Sequence, residues 1–494
     1  MKTKLFLFLL LPALTFAQIQ IGSNINGEAA GDFSGDSLCL SADGTILAIG
    51  ASENEGVNGI ASGHVRVYEN QSGTWVQIGS DIDGEAAGDN SGFSVSLSSD
   101  GSIVAIGAWD NDGDSGTNSG HVRVYENQFG NWIQVGADID GEAVNDFSGV
   151  SVSLSSDGSI VAIGAESNDG ANGTDSGHVR VYENQSGNWV QIGADIDGEA
   201  ADDYFGTSVI LSDDGSILAV GALGNDGANG IDSGHVRVYK NQSGNWIQIG
   251  SDIDGEAAND FSGSPISLSA DGSIVAIGSN ENDGANGTDS GHARVYENQS
   301  GNWVQIGSDI DGEAAGDGSG VSVSLSDDGS ILAVGAFFND GVNGIDSGHV
   351  RVYQNQAGNW TQIGVDIDGE AVDDYSGFNV SLSSNGTVLA VSADSDTNGI
   401  DSGHVKVYDL LSVLSTKNFN QDYFTLYPNP VKDILNINLS KDIDFENVNI
   451  YNILSQFLFS TQELKIDTRN LKSGIYFIEV VTDRGKSTKK IIVE

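Results

Sequence analysis

The chain has 494 residues, with 70 Asp or Glu against 20 Lys or Arg and a formal net charge of −50. That balance excludes nucleic acid and anionic lipid as direct partners, since both require a basic patch, and the single cysteine, Cys39, excludes an intrachain disulfide framework and a cysteine-based zinc site. Hydrophobic residues at 38% are enough for a folded core, and 67 glycines with only four prolines point to a turn-rich, mostly β chain.

Residues 1–17 read as a secretory signal peptide. Lys2 and Lys4 precede a short apolar run over residues 5–14, and Ala17 supplies a small residue before Gln18. No later apolar stretch approaches the ~20 residues of a membrane span, so direct membrane insertion is not expected.

The next 391 residues repeat. Gly-His-Val-Arg-Val-Tyr begins at Gly63, Gly120, Gly177, Gly234, Gly291 (with Ala293), Gly348 and Gly403 (with Lys406), at spacings of 57 residues and finally 55. These copies hold all seven histidines of the chain. Each repeat predicts four short strands, in the second copy residues 92–97, 102–108, 121–126 and 131–135, with Asp100-Gly101 as a type I′ hairpin turn. Four-stranded units at this period are the signature of propeller blades. The last copy ends at Tyr408 without the Trp-containing fourth strand, whereas Ile19-Gln20-Ile21-Gly22 matches that strand one period before Val76-Gln77-Ile78-Gly79. The expected fold over residues 18–408 is therefore an all-β, seven-bladed propeller whose N-terminal strand closes the last blade, with an open β-solenoid as the alternative.

Phe205-Gly206-Thr207-Ser208-Val209 with Leu218-Ala219-Val220-Gly221-Ala222, a following Gly-x-Val-x-Val-Tyr strand and a Trp, resembles the FG-GAP repeats of exported bacterial proteins and integrin α-chain propellers. The other copies place Ser before the glycine (Ser34, Ser91, Ser148, Ser262, Ser319, Ser376), and the integrin-type calcium loop is not reproduced literally.

Beyond Tyr408 the composition changes. Residues 18–408 carry a net −51 and residues 409–494 a net −1. Residues 409–422 read as a linker. Tyr427-Pro428-Asn429-Pro430, a Ser-Gly474-Ile-Tyr476 block and the Lys489-Lys490 strand then closely resemble the type A C-terminal sorting domain of type IX (Por) secretion. The resemblance implies a small Ig-like β-sandwich over residues 423–494, recognition by the type IX translocon, and a secreted or outer-surface location in a Gram-negative bacterium.

Within the propeller, the arginine of each hexapeptide is nearly the only cation in its blade and is expected to form an ion pair between blades. A metal-binding ring of seven histidines is not expected, because mid-strand residues of separate blades diverge. The acidic connections Asp81, Asp83 and Glu85, then Asp138, Asp140 and Glu142, then Asp195, Asp197 and Glu199, are candidate Ca2+ ligands, against the alternative of solvated turns. Asn168 to Asp175 is a second candidate loop. The polar residues repeat almost unchanged, which argues against an asymmetric catalytic constellation. Variation concentrates at two slots on the same face, making Trp109, Glu166, Phe337 and Phe338, with Tyr204 and Tyr375, the candidate ligand-binding residues. These features point to a surface binding or adhesion module for a glycan or protein. A hydrolytic enzyme using the channel and a structural surface component are the alternatives.

Overall fold

The structure is a computed structural model and describes residues 18–394, 401–414, 424–439, 445–452, 457–482 and 485–493. The expected signal peptide lies outside these residues, as does most of the expected linker. The chain divides into two compact units, Met1–Leu410 and Leu411–Glu494.

The first unit is a seven-bladed β-propeller. The second blade is representative: Ser94–Leu97 is innermost, followed outward by Ile103–Ala108, His121–Asn127 and Trp132–Gln134, all antiparallel. The innermost strands follow one another around a ring, each against the next, and Val380–Leu382 of the last blade returns to Ser34–Leu40 of the first. Closure uses the chain's N-terminus: Ile19 and Gln20 pair with Asp409 and Tyr408, and Ile25 and Asn26 pair with Val405 and His404. The seventh blade thus takes its outer edge from residues about one full circuit away in sequence, and the solenoid alternative falls.

Alternation along each strand sends apolar side chains into the spaces between blades, which is where the core lies. Ala105, Val122, Val124 and Ile139 of the second blade pack with Val152, Leu154, Val161, Ile163 and Tyr182 of the third. At the closing junction, Ile25, Ala390, Val405 and Val407 meet Leu40, Leu47, Ile49 and Tyr68. The recurring tryptophan stitches neighbouring outer strands together, as Trp132 Nε1 donates to the Ile78 carbonyl of the preceding blade at 2.9 Å. Close approach of adjacent blades explains one glycine in particular: a Cβ at Gly107 would sit 2.0 Å from the Gly149 carbonyl oxygen.

Three local expectations are corrected. The Asp100-Gly101 turn is not type I′, since only Gly101 has a positive φ, of 68°. Gly101 N–H bonds to the Ser98 carbonyl at 2.8 Å, and the Asp100 carboxylate accepts from Ser98 Oγ and from both N–H and Oγ of Ser102. Those three bonds hold Asp100 in an ordinary conformation and leave the left-handed step to glycine. The second correction concerns the outer edge. In most blades a further two-residue strand, such as Ile139–Asp140, pairs with the third strand beyond a break, and in the sixth blade the two pieces are continuous as Trp360–Asp368. At the far end, the third strand of the last blade runs to Asp409 and Leu410 is fully buried, so the expected linker begins inside the propeller.

The second unit packs a three-stranded sheet (Phe424–Tyr427, Ile434–Leu439, Lys465–Asp467) with a four-stranded one (Phe445–Asn452, Phe457–Thr461, Gly474–Thr482, Gly485–Val493). Their shared core includes Phe424, Leu435, Val448, Ile450, Ile478 and Ile491. The motif residues are structural ties. Asn429 bonds through Nδ2 to the Lys490 carbonyl and through Oδ1 to Ile492 N–H, pinning the last strand. Tyr476 Oη donates to the Lys472 carbonyl, and Lys489 Nζ donates to the Phe424 carbonyl while lying 4.5 Å from that ring's centre. Tyr427 is half exposed, with Lys490 exposed on the terminal strand.

Candidate functional site

The acidic connection between blades separates its carboxylates rather than gathering them. In the first connection, Asp81 accepts from Gln77 Nε2 at 2.6 Å and faces His64, while Asp83 Oδ1 faces the loop that holds Asn54, Gly56 and Ser62. Glu85 reaches forward to Arg123 of the next blade, Nη1 to Oε1 3.5 Å. Asp89 is buried and caps the turn by accepting from Glu85 and Ala86 N–H at 3.1 and 2.8 Å. Asp81, Asp83 and Glu85 therefore do not form one ligand set. The same regrouping holds for Asp138, Asp140 and Glu142 and for Asp195, Asp197 and Glu199. Instead Glu85 meets His121 and Asp138, Glu142 meets His178 and Asp195, and Glu199 meets His235 and Asp252.

The expected inter-blade ion pair is present. Arg123 Nη2 donates to the Asp83 carbonyl of the preceding blade at 2.8 Å while Nη1 faces Glu85, and its guanidinium lies over Tyr125. In the seventh blade Lys406 Nζ takes this role opposite Glu370 at 3.2 Å. The fourth blade differs: Arg237 turns onto Asp252 with two bonds, Nε to Oδ1 at 2.9 Å and Nη2 to Oδ2 at 2.8 Å, and also contacts Glu199. Burial of these seams is also felt by the histidines, whose acidity rises because the charged form is desolvated and the neighbouring arginine repels it.

The variable slots lie together at the end of the innermost strands. The residue opening the second-to-third strand loop of one blade approaches the residue after the first-strand glycine of the same or the next blade. Trp109 stacks between Phe93 and Phe147, with ring centres 5.1 and 5.0 Å away. Phe337 packs on Phe338, Tyr375 and Phe378 at 3.8, 6.4 and 5.9 Å. Glu166 accepts from Thr207 and is pushed up by burial, and Tyr204 is pushed up by burial and by Asp175, Asp202 and Glu166. The predicted rim residues thus form separate stations around the ring, two aromatic and one polar.

A fourth station escaped the sequence reading. At the closing junction Asp394 holds the loop position and Asp36 the residue after the first-strand glycine, and Ser52 Oγ donates to Asp36. Burial lifts Asp36 to about 6, and burial with the charges of Asp36, Asp401 and Asp374 lifts Asp394 to about 7. The signal was in the alignment of the repeats, where Asp36 is the one acid at a slot otherwise held by Phe93, Val150, Thr207, Ser264, Val321 and Phe378. A native carboxyl that keeps its proton above the unfolded value favours the fold at low pH, and that contribution is lost as pH rises from about 4 through 7. Asp394→Asn is accordingly expected to gain about 4 kcal/mol over the parent at pH 8, from the rise of the Asp394 carboxyl from 3.8 to about 7. The gain should shrink at pH 5, as read by urea unfolding at both values. An equal gain at both would remove the proton from the account.

The aromatic slot also carries backbone strain. Phe33, Phe147, Tyr204, Phe261 and Tyr375 have φ between 47° and 54°, where Gly318 sits without cost in the sixth repeat. A bulky residue in this left-handed region costs roughly 1–3 kcal/mol and persists where its side chain has a role.

Comparison with known proteins decides the C-terminal unit. Residues 425–494 match the secretion system C-terminal sorting domain family. This sorting domain implies export by the type IX system and contact with its machinery. No curated protein matches the chain. Among solved structures, the chain is similar to a putative 6-phosphogluconolactonase from Bacteroides uniformis (13% identity, TM-score 0.49, covering 86% of this chain and 96% of that one). It is also similar to the β-propeller domain of Myceliophteria thermophila Cps50 (Swd1) (10% identity, TM-score 0.48, covering 78% and 99%). Neither likeness is close enough to bear on activity.

Proposed function

We propose that the protein is an exported binding module whose propeller engages a glycan through the aromatic and acidic stations at one end of its innermost strands. The observation that carries this reading is the retention of five half-buried aromatic side chains in a backbone conformation that favours glycine. An aromatic face with nearby carboxylates suits a sugar, whose C–H face packs on the ring while its hydroxyls donate to the acids. The sorting domain delivers the propeller to the cell exterior, where such ligands are met. Ca2+ held by the acidic connections remains a proposal of lower rank, because their carboxylates separate.

A glycan array probed with the mature chain tests the reading. Binding should fall at least tenfold in Trp109→Ala or in Phe337→Ala, with unchanged thermal melting. Specific capture of a surface protein with no glycan signal would replace the ligand class, and binding that survives both variants would reject the site.

The Asp36–Asp394 station favours a second reading, hydrolysis of a bound glycan. Two carboxylates that titrate near 6 and 7 suit proton donation close to neutral pH. Turnover abolished by Asp394→Asn with binding retained would establish it.

A further inference from the structure

Each blade junction holds a buried imidazole flanked by two carboxylates from different connections. In the second blade these are His121, Glu85 and Asp138, with one potential ligand atom from each lying within 4.8 Å of the others. The group recurs as Glu28, His64 and Asp81, as Glu142, His178 and Asp195, as Glu199, His235 and Asp252, and as Glu256, His292 and Asp309, with one more beside these five. From this we infer that the propeller binds divalent first-row transition-metal ions, of which Zn2+ is the probe, at its blade junctions through one histidine and two carboxylates per site.

Three features support a ligand here beyond the acidic character. First, the spacing is wrong for hydrogen bonds: His64 Nδ1 stands 4.0 Å from Asp81 Oδ2, and His292 Nδ1 stands 4.0 Å from Glu256 Oε2. Two ligand atoms each about 2.0–2.2 Å from one ion lie up to about 4 Å apart, so the gap fits a shared cation. Second, these histidines are only 1–2% exposed, and it is Nδ1 that His64, His235 and His292 turn toward a carboxylate, at 3.9–4.0 Å, which makes Nδ1 the ligand atom of the site. Third, the arginine leaves charge uncompensated. Arg123 faces Glu85 at 3.5 Å, while Asp89 and Asp138 bring two further carboxylates to His121.

The donor set selects the metal. Imidazole with carboxylates suits Zn2+ and its neighbours, whereas Ca2+ prefers oxygen alone. The closing junction breaks the pattern, because Asn24 occupies the position of Asp81 one period later. The number of sites is therefore six and not seven. The inference does not rest on the glycan reading, since none of the proposed ligands is one of the rim residues.

Calorimetric titration of the chelator-stripped full chain with Zn2+ at pH 7.5 should give about six saturable equivalents. Glu85→Gln and, separately, Asp138→Asn should each reduce the count to about five while far-UV circular dichroism stays unchanged. Both substituted side chains are partly exposed, so folding is retained. Co2+ loading should add visible d–d absorption, with one sixth of its amplitude lost in either variant. Absence of saturable uptake, a count unchanged in both variants, or equal uptake of Ca2+ that His121→Gln leaves intact would overturn the inference.

Discussion

In chelator, the propeller is expected to lose most of its stability between pH 6.5 and pH 4. The blade histidines are neutral in the fold, and burial with the adjacent arginine holds His178 and His292 down to about 4 while the facing Asp195 and Asp309 only partly resist. His64, His121, His235 and His349 shift in the same direction for the same reasons. An unfolded chain takes up these protons near pH 6.5, so between 4 and 6.5 it binds more protons than the native state does. The stabilising contribution is then complete above 6.5 and is lost as pH falls toward 4. Each histidine held down to about 4 represents roughly 3 kcal/mol at the acid end, and the five of them (His64, His121, His178, His292 and His349) sum to on the order of 10 kcal/mol after the opposing half-buried carboxylates are allowed for. Urea unfolding at pH 7.5 and 4.5 measures the difference. An unchanged midpoint would show that the histidines titrate normally, whereas His178→Gln should recover about one histidine's share at pH 4.5.

Removing residues 18–26 is the second large perturbation. It strips the seventh blade of both pieces of its outer edge, including the Ile21 N–H bond to the Val407 carbonyl at 2.7 Å. The Ile25 side chain leaves the core it shares with the first blade. Trp75 Nε1 and Arg66 Nη2 lose their acceptors on the Ile21 and Asn26 carbonyls. Several backbone bonds at about 1 kcal/mol each and an isoleucine at about 2–3 kcal/mol amount to on the order of 5–10 kcal/mol, comparable with the whole stability of many domains. The exposed third strand would also offer an unpaired edge for association. The expected result is a lower melting temperature with concentration-dependent aggregation, both reversed by a synthetic peptide of residues 18–30 added in trans. A truncated chain that melts like the parent would show that the ring does not depend on this strand.

The ring itself was legible because repetition amplifies weak local signals. Asp-Gly turns and period-two alternation recur seven times, and the missing fourth strand after Tyr408 points directly to Ile19. Turn type was less legible, since Asp100 shows its reason for avoiding a positive φ only through three bonds from Ser98 and Ser102. The grouping of the acidic residues was hidden for a different reason. Asp81, Asp83 and Glu85 are contiguous in sequence, but each faces a different neighbour, and the true companions of His121 come from 36 residues before it and 17 after it. A motif read along the chain suggests convergence that the junction between blades distributes. The Asp36–Asp394 pair was harder still, because its members stand at opposite ends of the propeller sequence and become neighbours only on closure.

That closure also imposes an order of events on biogenesis. Residues 19–26 are among the first propeller residues to be synthesised, yet their partners at residues 403–409 are among the last. Until those arrive, the leading segment has no edge to join, and the first and seventh blades cannot share a core. Completion is therefore tied to possession of the entire propeller sequence, and a prematurely terminated chain cannot seal itself into a false ring.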